Sequence, residues 1–393
     1  MKTLFKILAL TLITSAPIIA QNSLEAKMDE THIIYDESFT TDANTTLVLD
    51  LSNTAAIIKK SKDSKVHIKY TKAFKNYKKK FVESSLKSHT VSGKKENNKI
   101  TFTSKSRNSR YYREYQMEQV LIGRLAKMKD TTTTIKPIIR KSIDSVLTQI
   151  SLAERSTLKD LLGTIKIKPR VQKWKKNDKM QISKMIIFIP EHIQVRMTLG
   201  NANLFFTDEF LNKTTMNSRN SRLKFKSIGN VLNVFDVDNG YFNVEEITAG
   251  NYSFANTREL TIGRVSNSLI NSEFTKVEIG EVGSKVEVVD FNSKFTLHNF
   301  SKDFQILDMN TEYSEINLFF PEDLNFNLTT YGSHTKHFTD NKVFDLSNAN
   351  PRTDGIMFQL KNEDSYGKNV NNIKINSING IIRYGKDLIE INE

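Results

Sequence analysis

Residues 282–317 repeat one nine-residue pattern four times without a gap: VGSKVEVVD from Val282, FNSKFTLHN from Phe291, FSKDFQILD from Phe300 and MNTEYSEIN from Met309. Each copy opens with an apolar residue, passes through a small polar pair such as Gly283-Ser284 or Asn292-Ser293, and then alternates. Val286-Glu287-Val288, Phe295-Thr296-Leu297 and Phe304-Gln305-Ile306 are the alternating parts. Period two places the apolar members on one face of a short strand, and the residue closing each copy (Asp290, Asn299, Asp308, Asn317) reads as a turn former. One strand and one turn cannot bury their own apolar face, so the copies must stack. The pattern therefore predicts a hydrophobic column in which Val286, Phe295, Phe304 and their alternates pile up coil upon coil.

The same alternation runs through much of the chain. It appears at Leu47-Val48-Leu49-Asp50-Leu51, Val66-His67-Ile68-Lys69-Tyr70 and Ile100-Thr101-Phe102, and again from Met185 onward. Leu223-Lys224-Phe225, Phe242-Asn243-Val244, Tyr252-Ser253-Phe254 and Leu260-Thr261-Ile262 continue it. Two longer blocks match each other. Ile189-Pro190-Glu191 and Phe320-Pro321-Glu322 each lead from a strand into an alternating run that ends at Gly200 or Gly332, which suggests two related solenoid segments in tandem. The period changes to about 3.6 near Tyr111. Met117, Leu121, Leu125 and Met128 share one helical face. Pro137 suits a second helix start, and Ser151-Leu152-Ala153-Glu154 matches a capping box for a third. The resulting division is a signal peptide over 1–20, an N-terminal β segment over 21–105, a basic helical insertion over 106–180 and a β-solenoid repeat domain over 181–393.

Charge and cysteine content sharpen this outline. Lys2 and Lys6 followed by an apolar run and Ala20 read as a secretory signal peptide, with the mature chain exported to the periplasm or the cell surface. The apolar run is shorter than a membrane span, and no later stretch is long and apolar enough to be one. The chain holds no cysteine, so its core relies on packing without disulfides or thiolate zinc sites. The formal net charge is +13, but residues 59–179 carry 33 Lys and Arg against 10 Asp and Glu, leaving the remainder acidic. Such asymmetry points to an anionic partner. Lys78, Lys79, Lys80, Lys94, Lys95, Lys173, Lys175 and Lys176, with Arg107, Arg110 and Arg113 and the aromatics Tyr77, Phe81, Tyr111, Tyr112 and Trp174 among them, are the candidate anion-binding residues. A solvated face explains them equally. In an exported protein the partner is an anionic envelope polymer or an acidic protein rather than nucleic acid.

The Pro-Glu blocks, the Gly and Asn turns and the repeated short strands resemble an adhesin-type β-strand-repeat family, without an assigned activity, that Bacteroidota and related bacteria export. Its relatives include auto-transporter-like adhesin head domains. The resemblance covers residues 45–104 and 181–393. It implies a mainly β fold, a right-handed single-stranded β-solenoid built of short strands, in the cell envelope, with no catalytic residues to carry over. The helical, Lys-rich insertion departs from the family pattern.

Little else in the sequence suggests chemistry. His334-Thr335-Lys336-His337 could hold a metal, but no third ligand completes the set, and a surface turn is the better reading. Asp236-Val237-Asp238-Asn239-Gly240 resembles part of a calcium loop without its terminal Glu, so it reads as a turn between coils. No metal and no cofactor is expected. A carbohydrate-active β-helix enzyme would need carboxylates such as Glu245, Glu246, Asp290 and Asp308 to converge in a groove. The favoured reading is a non-enzymatic, adhesin-like interaction module.

Overall fold

The computed structural model describes residues 28–106, 179–320, 326–339, 342–345, 358–361 and 371–385. The signal-peptide segment and the expected helices of the insertion, with Lys173, Lys175 and Lys176, lie outside the described residues. Strands β1 (Glu30–Thr40), β2 (Thr46–Ser52), β3 (Ala55–Lys60) and β4 (Lys65–Lys75) are followed by helix α1 (Lys79–Lys87), then β5 (His89–Glu96) and β6 (Lys99–Ser106). Next come β7 (Met180–Ile189), β8 (Gln194–Gly200), β9 (Asn203–Phe206), β10 (Glu209–Phe210), β11 (Thr214–Arg219), β12 (Arg222–Asp238), β13 (Tyr241–Ala255), β14 (Glu259–Val265) and β15 (Ser268–Glu273). The series ends with β16 (Lys276–Val282), β17 (Lys285–Phe291), β18 (Lys294–Leu297), β19 (Ile306–Glu312), β20 (Glu315–Phe319), β21 (Phe326–Tyr331), β22 (Lys336–Thr339), β23 (Lys342–Asp345), β24 (Phe358–Lys361), β25 (Asn371–Ile378) and β26 (Ile381–Gly385).

These strands build a mainly β solenoid with two parallel ladders. The first runs β6, β2, β8, β11, the second half of β12, the second half of β13, β15, β17, β19, β25 and β21. The second runs β7, β3, β9, the first halves of β12 and β13, then β14, β16, β18, β20, β26 and β22. Each coil gives one strand to each ladder, and the short β10 adds a further parallel pairing with β12, Glu209 with Ser227 and Phe210 with Ile228. In the middle of the stack Ser268 pairs with Val286 and Lys276 with Lys294, a step of 18 residues. Two nine-residue units therefore make one coil, and successive units alternate between ladders. Val286 and Phe295 are both fully buried but belong to different ladders.

Two details of the repeat differ from expectation. Phe304 is buried, yet it lies in the turn before β19 and packs edge-on against Phe300, and Leu307 takes the rung position beside Val286. Its supposed alternate Ile306 faces outward. Three extra residues in this coil cause the slip, since Lys285 pairs with Ile306 rather than with a residue 18 positions on. The residues assigned to turns at the ends of the units also shift, because Asp290, Asp308 and Asn317 sit inside β17, β19 and β20.

The turn chemistry resides one step later. The corner from a first-ladder strand to its second-ladder partner holds a residue of positive φ: Asn53, Asn201, Asn220, Asn239, Asn256, Phe274, Asn292, Tyr313 and Asn379, with His334 between β21 and β22. Asn tolerates this left-handed conformation better than other residues with a Cβ. Just inside the corner stands a file of hydroxyls. Thr54, Ser221, Thr257, Thr275, Ser293 and Ser314 each donate to the carbonyl two residues earlier. Ser221, Thr275 and Ser293 also accept from the backbone N–H of the preceding rung, at Ala202, Thr257 and Thr275. Buried backbone donors that the sheet leaves over are thus satisfied by side chains. The core between the ladders is aliphatic with a phenylalanine stack, Phe206 on Phe225 at 4.0 Å and Phe225 on Phe242 at 5.4 Å.

The rungs are not filled in chain order. From β7, in the end rung, Pro190 and Glu191 carry the chain past the β2–β3 rung to β8 on its far side. At the other end the chain leaves β20, skips a rung, forms β21 and β22, and later returns to fill the gap with β25 and β26. The steps from β7 to β8 and from β20 to β21 thus each span two rungs, about 10 Å instead of about 5 Å, at the two ends of a single stack, so β8 and β21 do not start tandem segments. Antiparallel strands close both ends: β5 on β6, β4 on β7 and β1 on β4, then β24 on β21 and β23 on β22. Such closure protects the last parallel edges from pairing with another chain.

Candidate binding surface

The outer face of the first ladder is built from the strand positions that alternate with the core. Along one row stand Asp236, Ser253, Asn271, Val289 and Asn310, and along the next Asp238, Ala255, Glu273, Phe291, Glu312 and Ile378. Parallel in-register pairing lines these side chains up, so residues 17 to 21 apart, and 66 apart for Glu312 and Ile378, become neighbours. A shallow depression of about 320 Å³ opens there, lined by Asp236, Asn271, Glu273, Val289, Phe291 and Glu312. Asp236, Glu273 and Glu312 take part in no ion pair among the described residues.

Along its edge the corner residues add aromatic rings. Phe274, Phe291 and Tyr313 are 48%, 39% and 52% exposed. Their rings meet edge to face, with centroids 5.6 Å apart for Phe274 and Phe291 and 5.8 Å apart for Phe291 and Tyr313. The three come from three successive coils, Phe274 at the corner of the first, Phe291 at the strand end of the second and Tyr313 at the corner of the third, so the track zigzags. Glu273, Asn292 and Glu312 occupy the alternate places. Beneath this surface Asp290 is only 5% exposed. It accepts from the hydroxyls of Ser272 and Ser314 and from the Ser293 backbone N–H.

This track is not evident from the nine-residue pattern, in which Phe291 opens a unit and Phe274 and Tyr313 are not aligned with it. Its signal becomes visible when coils are aligned by their ladder pairing, with the three extra residues before β19 allowed for, where Phe274 and Tyr313 fall in a column held by Asn256, Asn292 and Asn379 in the neighbouring coils. The helix α1 was also missed, although Phe81, Val82 and Leu86 follow helical spacing.

The described lysines of the basic candidate set fall on two elements. Lys78 is the N-cap of α1, and Lys79 and Lys80 begin its first turn; all three are exposed, and no carboxylate stands in that turn. Tyr77 stacks on Phe81 at 4.2 Å, and Lys80, Glu83, Ser84, Lys87 and Ser88 line a second shallow depression. Lys94 and Lys95 lie on β5, where Lys94 pairs with Glu96 and the Lys95 Nζ donates to the Thr40 carbonyl at 2.7 Å. Nearby Lys72 is 3% exposed, donates to the Ser85 carbonyl at 2.6 Å, and has its pKa lowered by burial. The Tyr70 hydroxyl meets His89 Nδ1 at 3.1 Å, and Ser104 Oγ meets His89 Nε2 at 2.8 Å. Burial, followed by the Lys72 charge, pulls the His89 pKa down to about 4.

The other candidates do not assemble. Glu245 and Glu246 are on the second ladder, Asp290 points into the core and Asp308 lies on β19 of the first ladder. His334 occupies an exposed corner, but His337 is fully buried on β22 with the Tyr384 Oη at 3.0 Å from its Nδ1, so only half of that pair is a surface turn. Asp236 and Asp238 end β12, and Asn239 with Gly240 makes the corner to β13. Among the described residues no group of three His, Asp or Glu side chains is placed to hold a metal, and no helix is long and apolar enough to cross a membrane.

No family model matches this chain, and no curated protein matches it. Among solved structures it is similar to a putative cell adhesion protein from Clostridium sporogenes ATCC 15579, with 9% sequence identity and a TM-score of 0.17 over 89% of this chain and 98% of that one.

Proposed function

We propose that this chain is an exported, non-enzymatic, adhesin-like β-solenoid that binds its partner on the outer face of the first ladder. One observation carries the reading: Phe274, Phe291 and Tyr313 form a contiguous aromatic track on a stack of strands, exposed and beside three carboxylates that have no ion-pair partner among the described residues. A solenoid offers a long, regular flank, and corners pinned between paired strands hold their side chains at fixed spacing from coil to coil. The test uses the mature chain on immobilised cell-envelope fractions, compared with a Phe291→Ala/Tyr313→Ser double variant. The variant should lose most of the retained binding. Equal retention of the two proteins overturns the reading.

The basic residues favour a second reading, binding of an anionic envelope polymer at α1. Lys78, Lys79 and Lys80 crowd a helix N-terminus, whose dipole disfavours positive charge, and no acidic residue in that turn offsets them. A bound anion would relieve this repulsion. Changing the three lysines to Gln should abolish salt-sensitive binding to envelope extracts at ~0.15 M ionic strength. Unaltered binding removes this second reading and leaves the first intact.

A further inference from the structure

We infer that the track formed by Phe274, Phe291 and Tyr313 is a subsite for a glycan chain that carries no negative charge. This deepens the adhesin-like reading and rests on it. The first support is in the backbone. Phe274 and Tyr313 have φ of 48° and 55°, at corners where the equivalent residues are Asn, or His334 at one end. Holding a bulky side chain in the left-handed region is costly, and burial of rings that remain about half exposed does not offset it. Local rules broken without a structural gain point to function.

The second support is the pattern of groups. A pyranose ring presents apolar C–H faces and hydroxyl edges in alternation. The track does the same, with rings at Phe274, Phe291 and Tyr313 and hydrogen-bonding groups at Glu273, Asn292 and Glu312 between them. Successive ring centroids lie 5.6 and 5.8 Å apart with the rings edge to face, so a chain running along the track meets ring faces and ring edges in turn. Carboxylate and amide side chains accept from, and Asn also donates to, neighbouring hydroxyls. The sign of the charge sets the class. Asp236, Glu273 and Glu312 around the depression repel uronic or phosphorylated polymers and admit neutral or amino sugars. A protein partner would call for a more continuous apolar centre than rings separated by carboxylates.

The experiment measures binding of the mature chain to immobilised envelope fractions after one of two treatments. Sodium periodate cleaves vicinal diols of sugars, and proteinase K removes proteins. Periodate should abolish the Phe291-dependent binding, and protease should leave it. Binding lost to protease and kept after periodate overturns the glycan assignment while the adhesin-like reading stands; absence of any Phe291-dependent binding removes both. Phe274→Asn and Tyr313→Asn guard against misfolding, since each should raise the urea midpoint yet weaken binding, together by on the order of tenfold or more. Full binding by this double variant also overturns the assignment.

Discussion

Asp290 tests the packing logic of the corner. In the regular coils a backbone N–H at the corner bonds the hydroxyl of the next rung directly, as Thr275 N does with Ser293 Oγ at 3.0 Å. The next coil is three residues longer, and there Asp290 is inserted between the partners. Ser293 N–H donates to Asp290 Oδ2 at 3.2 Å, and Ser314 Oγ donates to the same oxygen at 2.5 Å. Ser272 Oγ donates to Oδ1. Asp290→Ala removes the shared acceptor. Ser314 can fall back on the Glu312 carbonyl at 2.9 Å, but the Ser293 N–H and the Ser272 hydroxyl lose their acceptor. An unsatisfied buried donor costs about 1–3 kcal/mol, so the change should destabilise by roughly 2–4 kcal/mol. Asp290→Asn keeps a carbonyl acceptor and should cost less than about 1.5 kcal/mol. Urea unfolding followed by circular dichroism gives the energies, and amide exchange at Ser293 gives the location, because a solenoid transmits damage first to adjacent rungs. Asp290→Ala within about 0.5 kcal/mol of the parent, with unchanged exchange at Ser293, would refute this account.

Three further outcomes follow from the same geometry. Phe225→Ala empties the middle of the Phe206–Phe225–Phe242 stack and should cost about 3–5 kcal/mol in urea unfolding, with a smaller loss pointing to collapse of the cavity. A Cβ at Gly240 would lie 2.2 Å from the Ser221 carbonyl oxygen, whereas one at Gly200 would meet the Ser52 hydroxyl at 3.5 Å. Gly240→Ala should therefore destabilise by about 2 kcal/mol or more and Gly200→Ala by less than about 1, and equal midpoints would contradict the close approach. Burial pulls His337 to a pKa of about 4 and, together with the Lys72 charge, does the same to His89, whereas the unfolded imidazoles take up protons near 6.5. Since the unfolded chain binds more protons, stability is full above about pH 6.5 and falls between there and pH 4, by at most about 1.4 kcal/mol per pH unit for buried His337 and by less for partly exposed His89. The urea midpoint at pH 5 should lie below that at pH 7.5, and a His89→Asn/His337→Asn variant should flatten the difference.

The organisation of the two ends has a consequence for assembly. Each terminal rung is covered by antiparallel strands, and the chain steps over a rung filled by another segment on leaving the first end, from β7 to β8, and on reaching the last, from β20 to β21. Rungs β2–β3 and β25–β26 are therefore held on both sides by segments distant in sequence. Closing such long loops is entropically expensive before the contacts form, so the end rungs are expected to form after the middle of the stack, with amide protection appearing later in β2 and β25 than in β15 and β17.

Period and strand faces were legible in the sequence because each is a local property. Alternation at Val286-Glu287-Val288 decides which side of a strand is apolar without reference to any partner, whereas the corners were placed too early, at Asp290, Asp308 and Asn317, because an Asp or Asn marks a turn only where the backbone bends, and the bends fall at residues such as Asn292 and Tyr313. The nine-residue unit, the stacked core and the mainly β fold follow from these. Partner choice was not legible. Backbone ladders are blind to side-chain identity and one aliphatic rung fits another, so nothing near Pro190 or Pro321 distinguishes a step of two rungs from a step of one. The same non-local pairing draws Asp290 inward between Ser272 and Ser314 and buries His337 beside Tyr384. It also brings Phe274, Phe291 and Tyr313 together as one surface. Only the three-dimensional stack, which makes neighbours of residues a coil apart, decided where this protein presents its aromatic rings.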